Sequence, residues 1–588
     1  MKKLLEEIDS RLSKAFESCG YDPKYGVSTV SNRPDLCEFQ CNGAMAAAKQ
    51  YRKAPFMIAD DVVAQLADQE CFSSIESVKP GFINIKISEE YLAGYLNEMR
   101  ASDRFGIEGN VNPKKVFIDY GGPNVAKPLH VGHLRSAIIG ESIKRIFRFM
   151  GDEVTGDVHM GDWGLQMGLI ISELKSREPE LCYFDESFDG EYPKEAPFTI
   201  SELEEIYPAA SARSKEDKEF YEEALEATKR LQEGDRGYRA IWNHIIDVSV
   251  TDLKKNYEKL NVDFDLWNGE STVQNLIAPM VERLKSEGFA HYDQGALVVD
   301  VKEPEDTKEI PPCMILKSNG SALYNTTDLA TLVMRAEEDP DEVIYVVDNR
   351  QSLYFTQVFR CAKKTGIVSD KTRLRFLGFG TMNGKDGKPF KTRSGGVMRL
   401  ENLIRDINDE MLAKISANEA IDRDEAVKTA EIIGLSAIKY GDLQNQASKD
   451  YVFDIDRFTS FEGNSGPYLL YTIVRIKSII KKAKDQGIFG GTGAKILPAH
   501  GNGEKELMLA LSKVSDYIEA AYKELAPHKI CAFLYDTANA FNRFYHETKI
   551  LVESDEAVRN SYLNLLVLTE DIMNTCIDLL GFSAPDRM

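Results

Sequence analysis

Between Asp119 and Arg135 the chain reads Asp-Tyr-Gly-Gly-Pro-Asn-Val-Ala-Lys-Pro-Leu-His-Val-Gly-His-Leu-Arg. The apolar run Val116-Phe117-Ile118 precedes it. Apolar residues at Leu134, Ile138, Ile139, Ile143, Ile146, Phe147 and Met150 follow it at helical spacing. Strand, turn and helix are therefore predicted in that order, with Gly121-Gly122-Pro123-Asn124 breaking the strand. Pro128 has no N–H to donate, so the helix should begin close to His130 and His133. A helix N-terminus gathers free N–H groups and partial positive charge, which suits the phosphates of a nucleotide. Gly132 lets a flat adenine approach the backbone. The two imidazoles can donate hydrogen bonds to phosphate oxygens as charge develops on the α-phosphate. An isolated His-x-Gly-His tetrapeptide can equally just cap a helix. Here it follows a buried strand, opens an apolar helix and carries Asn124, Lys127 and Arg135 around it.

Outward from this point, Ala296-Leu297-Val298-Val299 and Val343-Ile344-Tyr345-Val346-Val347 are apolar on both faces. Such runs between helices suit buried parallel strands of an α/β sheet. Residues from about 170 to 285 read as a mostly helical, charged insertion into that sheet domain. Beyond about residue 405 nearly everything is helical, with a stripe at Ile530, Phe533, Leu534, Thr537 and Phe541 and a loop at Gly490-Gly491-Thr492-Gly493. Residues 1–110 mix helices with short strands; Pro80-Gly81 is a turn feeding the strand Phe82-Ile83-Asn84-Ile85, and residues 110–115 form a linker. The expected organisation is an α+β module at 1–110, an α/β domain with a parallel sheet at 111–404, and an all-α bundle at 405–588.

Composition excludes several function classes. The chain has 588 residues, too many for one hydrophobic core, with 43% apolar and 28% charged residues. No apolar run reaches the ~18 residues of a membrane span, and the N-terminus alternates apolar and acidic residues as an amphipathic helix does, not a secretion signal. A cytoplasmic protein is expected. Nine scattered cysteines without a Cys-x-x-Cys pair point to reduced, mostly buried thiols and no zinc site. A net charge of −22 is wrong for a protein that coats DNA, since phosphate neutralisation supplies that affinity. It leaves open specific binding through local basic faces.

His130-Val131-Gly132-His133 matches the first signature of class I aminoacyl-tRNA synthetases. The longer string from Pro123 to Gly140 resembles the arginyl-tRNA synthetase family in particular. Gly161-Asp162-Trp163-Gly164-Leu165-Gln166 and the terminal Pro585-Asp586-Arg587-Met588 extend the likeness through almost the whole chain. The resemblance implies a Rossmann-like catalytic domain, an N-terminal accessory domain touching the tRNA elbow and a helical anticodon-binding domain. The second class I signature, a Lys-Met-Ser-Lys-like loop, is best matched by Gly387-Lys388-Pro389-Phe390-Lys391-Thr392-Arg393-Ser394-Gly395-Gly396, without its second lysine. The catalytic set so implied is Lys127, His130, His133, Lys391 and Arg393, with Gly132 and Thr392 also at the ATP. How Lys127, Lys391 and Arg393 divide the work stays open.

A guanidinium is planar, permanently charged and rich in donors, so its pocket needs carboxylates of fixed geometry. Asp119, at the end of the first strand, and Asp328 match acidic positions that grip arginine in the family. Tyr324 and Gln351 match further side-chain contacts, and Asn124 and His133 match contacts to the amino and carboxyl end. Each has a plainer alternative as a turn former, helix cap, core or surface residue. Their convergence on strand ends of one sheet, where ligands of such folds collect, favours function. Two departures stand out: Gly121 and Gly122 replace common serines, and Tyr354-Phe355 occupies an aromatic site tied to adenine stacking.

In the last third, Gly463 to Tyr471 and Phe541-Asn542-Arg543-Phe544-Tyr545 resemble the anticodon-binding domain. Unpaired bases stack on aromatics, and Tyr468, Arg475 and Tyr545 are the nominated RNA contacts, although about half of such aromatics belong to a bundle core. Arg33, Lys49 and Arg52 are phosphate candidates, each also readable as part of a solvated face. The implied reaction joins L-arginine to arginine tRNA through arginyl-adenylate, using ATP with Mg2+, with bound tRNA needed for the first step. A monomer and no editing domain are implied. A non-catalytic relative, a shorter adenylyl transferase and a different synthetase are the rival readings, opposed by the intact signature, the helical tail and Asp119 with Asp328 respectively.

Overall fold

The computed structural model describes residues 1–388, 398–416, 422–489 and 491–588. The chain forms two compact units, one of residues 1–109, 461–578 and 583–588, the other of residues 110–460 with 579–582.

The first unit opens with α1 (Leu4–Ser18), whose Leu4, Ile8, Leu12 and Phe16 recur at helical spacing and are buried. Then come β1 (Ser28–Val30), β2 (Phe39–Cys41), α2 (Gly43–Tyr51), α3 (Pro55–Leu66), β3 (Phe72–Val78), β4 (Phe82–Ile87) and α4 (Glu89–Ala101). The strands form an antiparallel sheet in the order β1-β2-β4-β3. The turn at Pro80-Gly81 feeds β4 as its residues suggest, and β4 alternates half-buried and buried side chains.

The second unit is built on β5 (Lys115–Asp119), α5 (Val131–Phe149), β6 (Glu153–Asp157) and α6 (Leu165–Arg177). Four helices follow, α7 (Ile200–Glu216), α8 (Lys218–Glu233), α9 (Arg236–Lys259) and α10 (Gln274–Ser286), filling most of the stretch read as a charged helical insertion. Next are β7 (His291–Asp293), β8 (Ala296–Val299), β9 (Cys313–Leu316), α11 (Tyr324–Ala336), β10 (Glu342–Asp348), α12 (Ser352–Lys364) and β11 (Arg373–Phe379). The helices α13 (Leu400–Ile415) and α14 (Arg423–Leu443) belong to the same unit. The order β11-β10-β5-β6 is parallel throughout. Residues 342–346 of β10 are buried in succession because helices cover both faces. On one face Phe117, Val343 and Tyr345 pack with Leu329 and Leu332 of α11 and Phe355 and Val358 of α12. The apolar stripe of α5 is buried from Val131 to Phe147.

One strand differs from expectation. The run Ala296–Val299 is β8, the middle of a separate antiparallel sheet β7-β8-β9, and not a strand of the parallel sheet. Only Gln294 and Gly295 join β7 to β8, both with positive φ. A two-residue connection closes an antiparallel hairpin, whereas parallel neighbours need a crossover. Apolarity on both faces reports burial, here in the core shared with α10 and α11, and not strand direction.

The first unit is completed by helices beyond residue 460, namely α15 (Gly466–Asp485), α16 (Asn502–Leu511), α17 (Val514–Glu524), α18 (His528–Glu547) and α19 (Glu556–Leu579). The stripe Ile530, Phe533, Leu534, Thr537 and Phe541 is the buried face of α18.

Within the second unit, the first turn of α5 is tied to α14 by a buried ion pair. Arg135 Nε lies 2.9 Å from Asp442 Oδ2, and Arg135 Nη1 donates to the carbonyls of Gly380 and Lys449 at 2.7 and 3.1 Å. Both side chains are almost fully buried. Removing one partner of such a pair strands the other charge, so Arg135→Ala should cost about 3–5 kcal/mol, read as a lower urea midpoint for the transition that melts this unit.

Candidate active site

The histidine signature lies at the N-terminus of α5, with His130 as the N-cap residue. Its geometry assigns the tautomer of each ring. The backbone N–H of Gly132 donates to His130 Nδ1 at 3.0 Å, and the backbone N–H of His130 donates to His133 Nδ1 at 3.2 Å. A neutral imidazole that accepts at Nδ1 carries its proton on Nε2. Two Nε2–H donors thus stand together, the ring centroids 3.9 Å apart. Both rings stay neutral near pH 7. Burial and the nearby Lys127 ammonium push His130 below the usual histidine range, and burial, then His130 and Lys127, take His133 down to about 3. They act as hydrogen-bond donors, not as cations. Gly132 has to be glycine, because a Cβ there would sit 2.6 Å from the His130 ring.

The loop entering α5 is fixed from several sides. Val125 N donates to Gly161 O at 3.1 Å, Gly161 N to Pro123 O at 3.0 Å, and Gln166 Nε2 to Val125 O at 2.6 Å. Asn124 pairs with Gly161 across an isolated bridge. Val131 N bonds Met398 O at 3.1 Å and Leu400 N bonds Leu129 O at 2.8 Å. Lys127 Nζ lies 4.6 Å from the centre of the Tyr207 ring of α7. Gly121 and Gly122 have φ of +91° and +49°, and a Cβ on Gly121 would meet Phe264 at 2.9 Å. That accounts for glycines where serines are common, since β-carbons there are strained.

Beside the strand ends lies a cluster of acids. Asp119 ends β5 and Asp157 ends β6, and the buried Arg335 of α11 reaches both through Nη2, at 2.7 and 2.8 Å. Burial pushes the Asp157 carboxyl up, but Arg335 overrides it and holds it below its usual value. Asp162 accepts from Ser271 N and Ser271 Oγ at 2.9 and 2.5 Å, and burial raises it. Asp328, inside α11, accepts from the Tyr354 hydroxyl, and burial raises it too. Glu270 has no hydrogen bond to its carboxylate among the described residues; burial, then Asp162 and Asp328, push it up to about 8.

Asp119, Asp157 and Asp328 therefore come together, but by different routes than strand ends alone. Asp328 and Tyr324 ride on α11, Tyr324 at its exposed first residue within electrostatic reach of Glu270. Gln351 ends the short 3-10 turn after β10 and is exposed. Tyr354 is committed to Asp328 and Phe355 to the core, so the aromatic pair does not form a free stacking platform. Lys391, Thr392 and Arg393 lie outside the described residues. The residues that sequence reasoning passed over are Glu270, Asp157 and Arg335. Glu270 arrives because Leu266 and Gly269 bridge to Asp157 and Met160, a tertiary pairing without sequence spacing to signal it.

With the site in view, comparison with known proteins is decisive. Residues 97–455 match the family model described as tRNA synthetases class I (R), catalytic domain, residues 2–87 the arginyl tRNA synthetase N terminal domain, and residues 469–588 the DALR anticodon binding domain. The chain belongs to the arginyl-tRNA synthetase family. It is 64% identical over 599 aligned residues to the arginine–tRNA ligase of Agathobacter rectalis, and 56% identical over 589 to that of Alkaliphilus oremlandii, covering 100% of both chains in each case. Among solved structures it is similar to arginyl-tRNA synthetase from Plasmodium falciparum, with a TM-score of 0.80, 26% identity and full coverage of both chains. The Thermus thermophilus arginyl-tRNA synthetase shares the fold at a TM-score of 0.78 and 22% identity, again over 100% of both chains.

Within the first unit, in the segment matching the anticodon binding domain, α15 and α18 assemble an aromatic and amide patch. The Tyr468 hydroxyl donates to Asn539 Oδ1 at 2.8 Å and accepts from Asn542 Nδ2 at 2.8 Å. Arg475 donates to Asn542 Oδ1 at 3.2 Å and to the Tyr471 hydroxyl at 2.9 Å. Its guanidinium lies 4.6 Å from the Tyr471 ring centre and 5.2 Å from that of Tyr545. Tyr471 and Tyr545 are exposed. Tyr471, Asn539 and Asn542 join the three residues nominated from sequence; only the packing of α15 on α18 reveals them. Arg33, a phosphate candidate, is exposed and pairs with Asp35 at 2.7 Å.

His130 both caps α5 and presents a donor, and two substitutions separate these roles. His130→Asn keeps a capping acceptor and should hold stability within about 0.5 kcal/mol, whereas His130→Ala should lose about 1 kcal/mol. Both remove the Nε2–H, so both should slow aminoacyl-adenylate formation about 10²–10³-fold. Thermal unfolding beside single-turnover rates checks the split.

Proposed function

We propose that the chain works as an arginine–tRNA ligase, activating L-arginine with ATP and passing it to the 3′ end of arginine tRNA. What carries the reading is the charge left over among the buried acids. Asp119 and Asp157 share Arg335, and Asp162 is satisfied by Ser271. That leaves Asp328 and Glu270 without a cation, beside the exposed ring of Tyr324. Two desolvated carboxylates side by side call for a cation, and a planar guanidinium can bond both at once. A neutral or shorter amino acid leaves those groups unpaired, which is costly enough to make an editing site unnecessary.

In this reading Asn124 and His133 hold the amino and carboxyl end, while Tyr324 and Gln351 contact the side chain. An oxygen of the arginine carboxylate attacks the α-phosphorus of ATP, the bond to the β-phosphate bridging oxygen breaks, and pyrophosphate leaves. The Nε2–H groups of His130 and His133 donate to the α-phosphate oxygens as charge builds there. Lys127 together with Lys391 and Arg393 offsets the charge of the departing pyrophosphate, and the Thr392 hydroxyl contacts the ATP. Mg2+ enters with ATP as part of the substrate, bridging its phosphates. A 3′-terminal ribose hydroxyl oxygen of the tRNA then attacks the carbonyl carbon and AMP leaves, the hydroxyl proton passing to solvent. Positioning and charge stabilisation suffice, with no protein nucleophile. In the first unit, bases of the anticodon stack on Tyr471 and Tyr545, with Tyr468 and Arg475 at their edges. No described helix is long and apolar enough to cross a membrane, and the enzyme acts as a cytoplasmic monomer on this reading.

Two experiments test it. Arginine-dependent exchange of pyrophosphate into ATP should require arginine tRNA; exchange without tRNA keeps the amino acid and removes the coupling, and none with tRNA present overturns the reading. The second concerns pH. Glu270 must be charged to bind a guanidinium, yet is protonated below about 8, so arginine binding releases a proton. Affinity should tighten by roughly tenfold per pH unit on approaching that value from below, and level off above it. Calorimetry in two buffers of different ionisation heat measures the proton, and Glu270→Gln should flatten the profile.

A further inference from the structure

His159 follows β6 in the stretch that leads to Gly161-Asp162-Trp163-Gly164, and neither the signature nor the mechanism above uses it. Three observations set it apart. Its backbone has a φ of +38°, in the left-handed region that is costly for a residue with a β-carbon. Its ring is held in one orientation, with Nε2 3.3 Å from Thr331 Oγ1 on α11. Its Nδ1 is buried and has no hydrogen-bond partner among the described residues.

The tautomer follows from the neighbours. The Thr331 hydroxyl spends its single proton on the Thr327 carbonyl at 2.9 Å. In the contact with His159 the threonine oxygen can only accept, so Nε2 carries the ring proton. In that tautomer Nδ1 is a lone pair shut away from water. A buried acceptor without a donor is unfavourable unless something fills the position. The surroundings say what kind of donor is called for. Asp157, whose Oδ1 accepts from His159 N at 3.3 Å, Asp162 and Asp328 all lie within electrostatic reach of the ring. Of these, Asp157 has Arg335 and Asp162 has Ser271, which leaves Asp328 without an ion-pair partner among the described residues, and Nδ1 needs an N–H. An alkylguanidinium answers both, with five N–H donors in one plane, more than two carboxylates engage in bidentate fashion.

We propose that His159 is a further substrate-contacting residue of the arginine pocket, its Nδ1 accepting a hydrogen bond from the guanidinium. Thr331 is its positioning partner, fixing Nε2 of the ring against α11. The inference rests on the arginine pocket described above. Within that pocket it adds a neutral acceptor, which recognises the N–H pattern of the side chain and not only its charge.

The test exploits side-chain shape. In His159→Asn the amide oxygen can occupy the place of Nδ1, and asparagine tolerates positive φ. In His159→Leu the bulk remains and the acceptor is gone. Both lose the Thr331 bond; leucine also carries more backbone strain at this positive φ, which thermal unfolding reads, whereas loss of the acceptor is read in KM and Kd for arginine with KM for ATP unchanged. Steady-state charging of arginine tRNA is measured with arginine and with ATP varied, beside calorimetric arginine binding and thermal unfolding. The expected result is a rise of about tenfold or more in KM and Kd for arginine in His159→Leu, with KM for ATP unchanged, and a rise of no more than about threefold in His159→Asn. Equal losses in the two variants, or an arginine KM within about twofold of wild type in His159→Leu, would overturn the inference while leaving the arginine pocket standing. A wild-type chain that binds no arginine would overturn both.

Discussion

The guanidinium of Arg335 joins three elements of the second unit at one point. It leaves α11 and bonds the carboxylates that end β5 and β6, with its own side chain and that of Asp157 almost wholly buried. Two acids on one cation is an arrangement that water would normally relieve, and here the Arg335 and Asp157 side chains are withdrawn from solvent. Taking charges out of solvent costs several kcal/mol each, so the triad persists only because its geometry is fixed by the sheet and the helix together. It also sets the charge of everything beside it. With Asp119 and Asp157 both hydrogen-bonded to Arg335, Asp328 and Glu270, near the exposed ring of Tyr324, are left without an ion-pair partner among the described residues. Asp119, which the family resemblance implies as a contact to arginine, also anchors α11 through Arg335.

The nucleotide end follows a different logic, in which the backbone assigns the chemistry. The N–H groups of His130 and Gly132 point at imidazole Nδ1 atoms, and so both protons are placed on Nε2. Donors whose direction is imposed by a helix start need no reorganisation when phosphate charge develops. Keeping both rings neutral through burial has a further consequence. The pair does not repel Lys127 or compete with it for phosphate charge, although the ring centroids are only 3.9 Å apart.

In the first unit the accessory module and the helices beyond residue 460 are linked by polar contacts spanning some four hundred residues of sequence. Lys505 of α16 pairs with Glu38 at 2.8 Å and Glu89 at 2.9 Å, and Arg100 of α4 donates to Asn564 of α19 at 2.8 Å. Lys505 is mostly buried, so these are not the weak ion pairs of an open surface. The aromatic patch on α15 and α18 owes its order to amides. Asn542 accepts from Arg475 and donates to Tyr468, leaving Tyr471 and Tyr545 as the exposed rings. A net charge of −22 is compatible with such a surface, because stacking and a single well-held arginine are local and do not depend on overall charge.

Several features were determined by the sequence alone. Periodicity and turn residues located α5, its start at His130, the strands β5 and β10, and the buried stripe of α18, because these depend on local propensity and on which face is apolar. The signature was legible because its residues are contiguous, so helix capping and donor presentation arise within four positions. Tertiary structure decided the rest. Whether Ala296–Val299 pairs in parallel rested on a two-residue hairpin and on partners far along the chain. Which acids hold a buried counter-ion rested on Arg335 claiming two of them, and Glu270 entered through a strand-like pairing of Leu266 and Gly269 with Asp157 and Met160. Likewise the free acceptor of His159 exists only because Thr331 has already given its proton to Thr327. Local rules specify which groups a segment offers; only packing specifies which of those groups are already spoken for, since desolvation and hydrogen bonding are settled between residues distant in sequence.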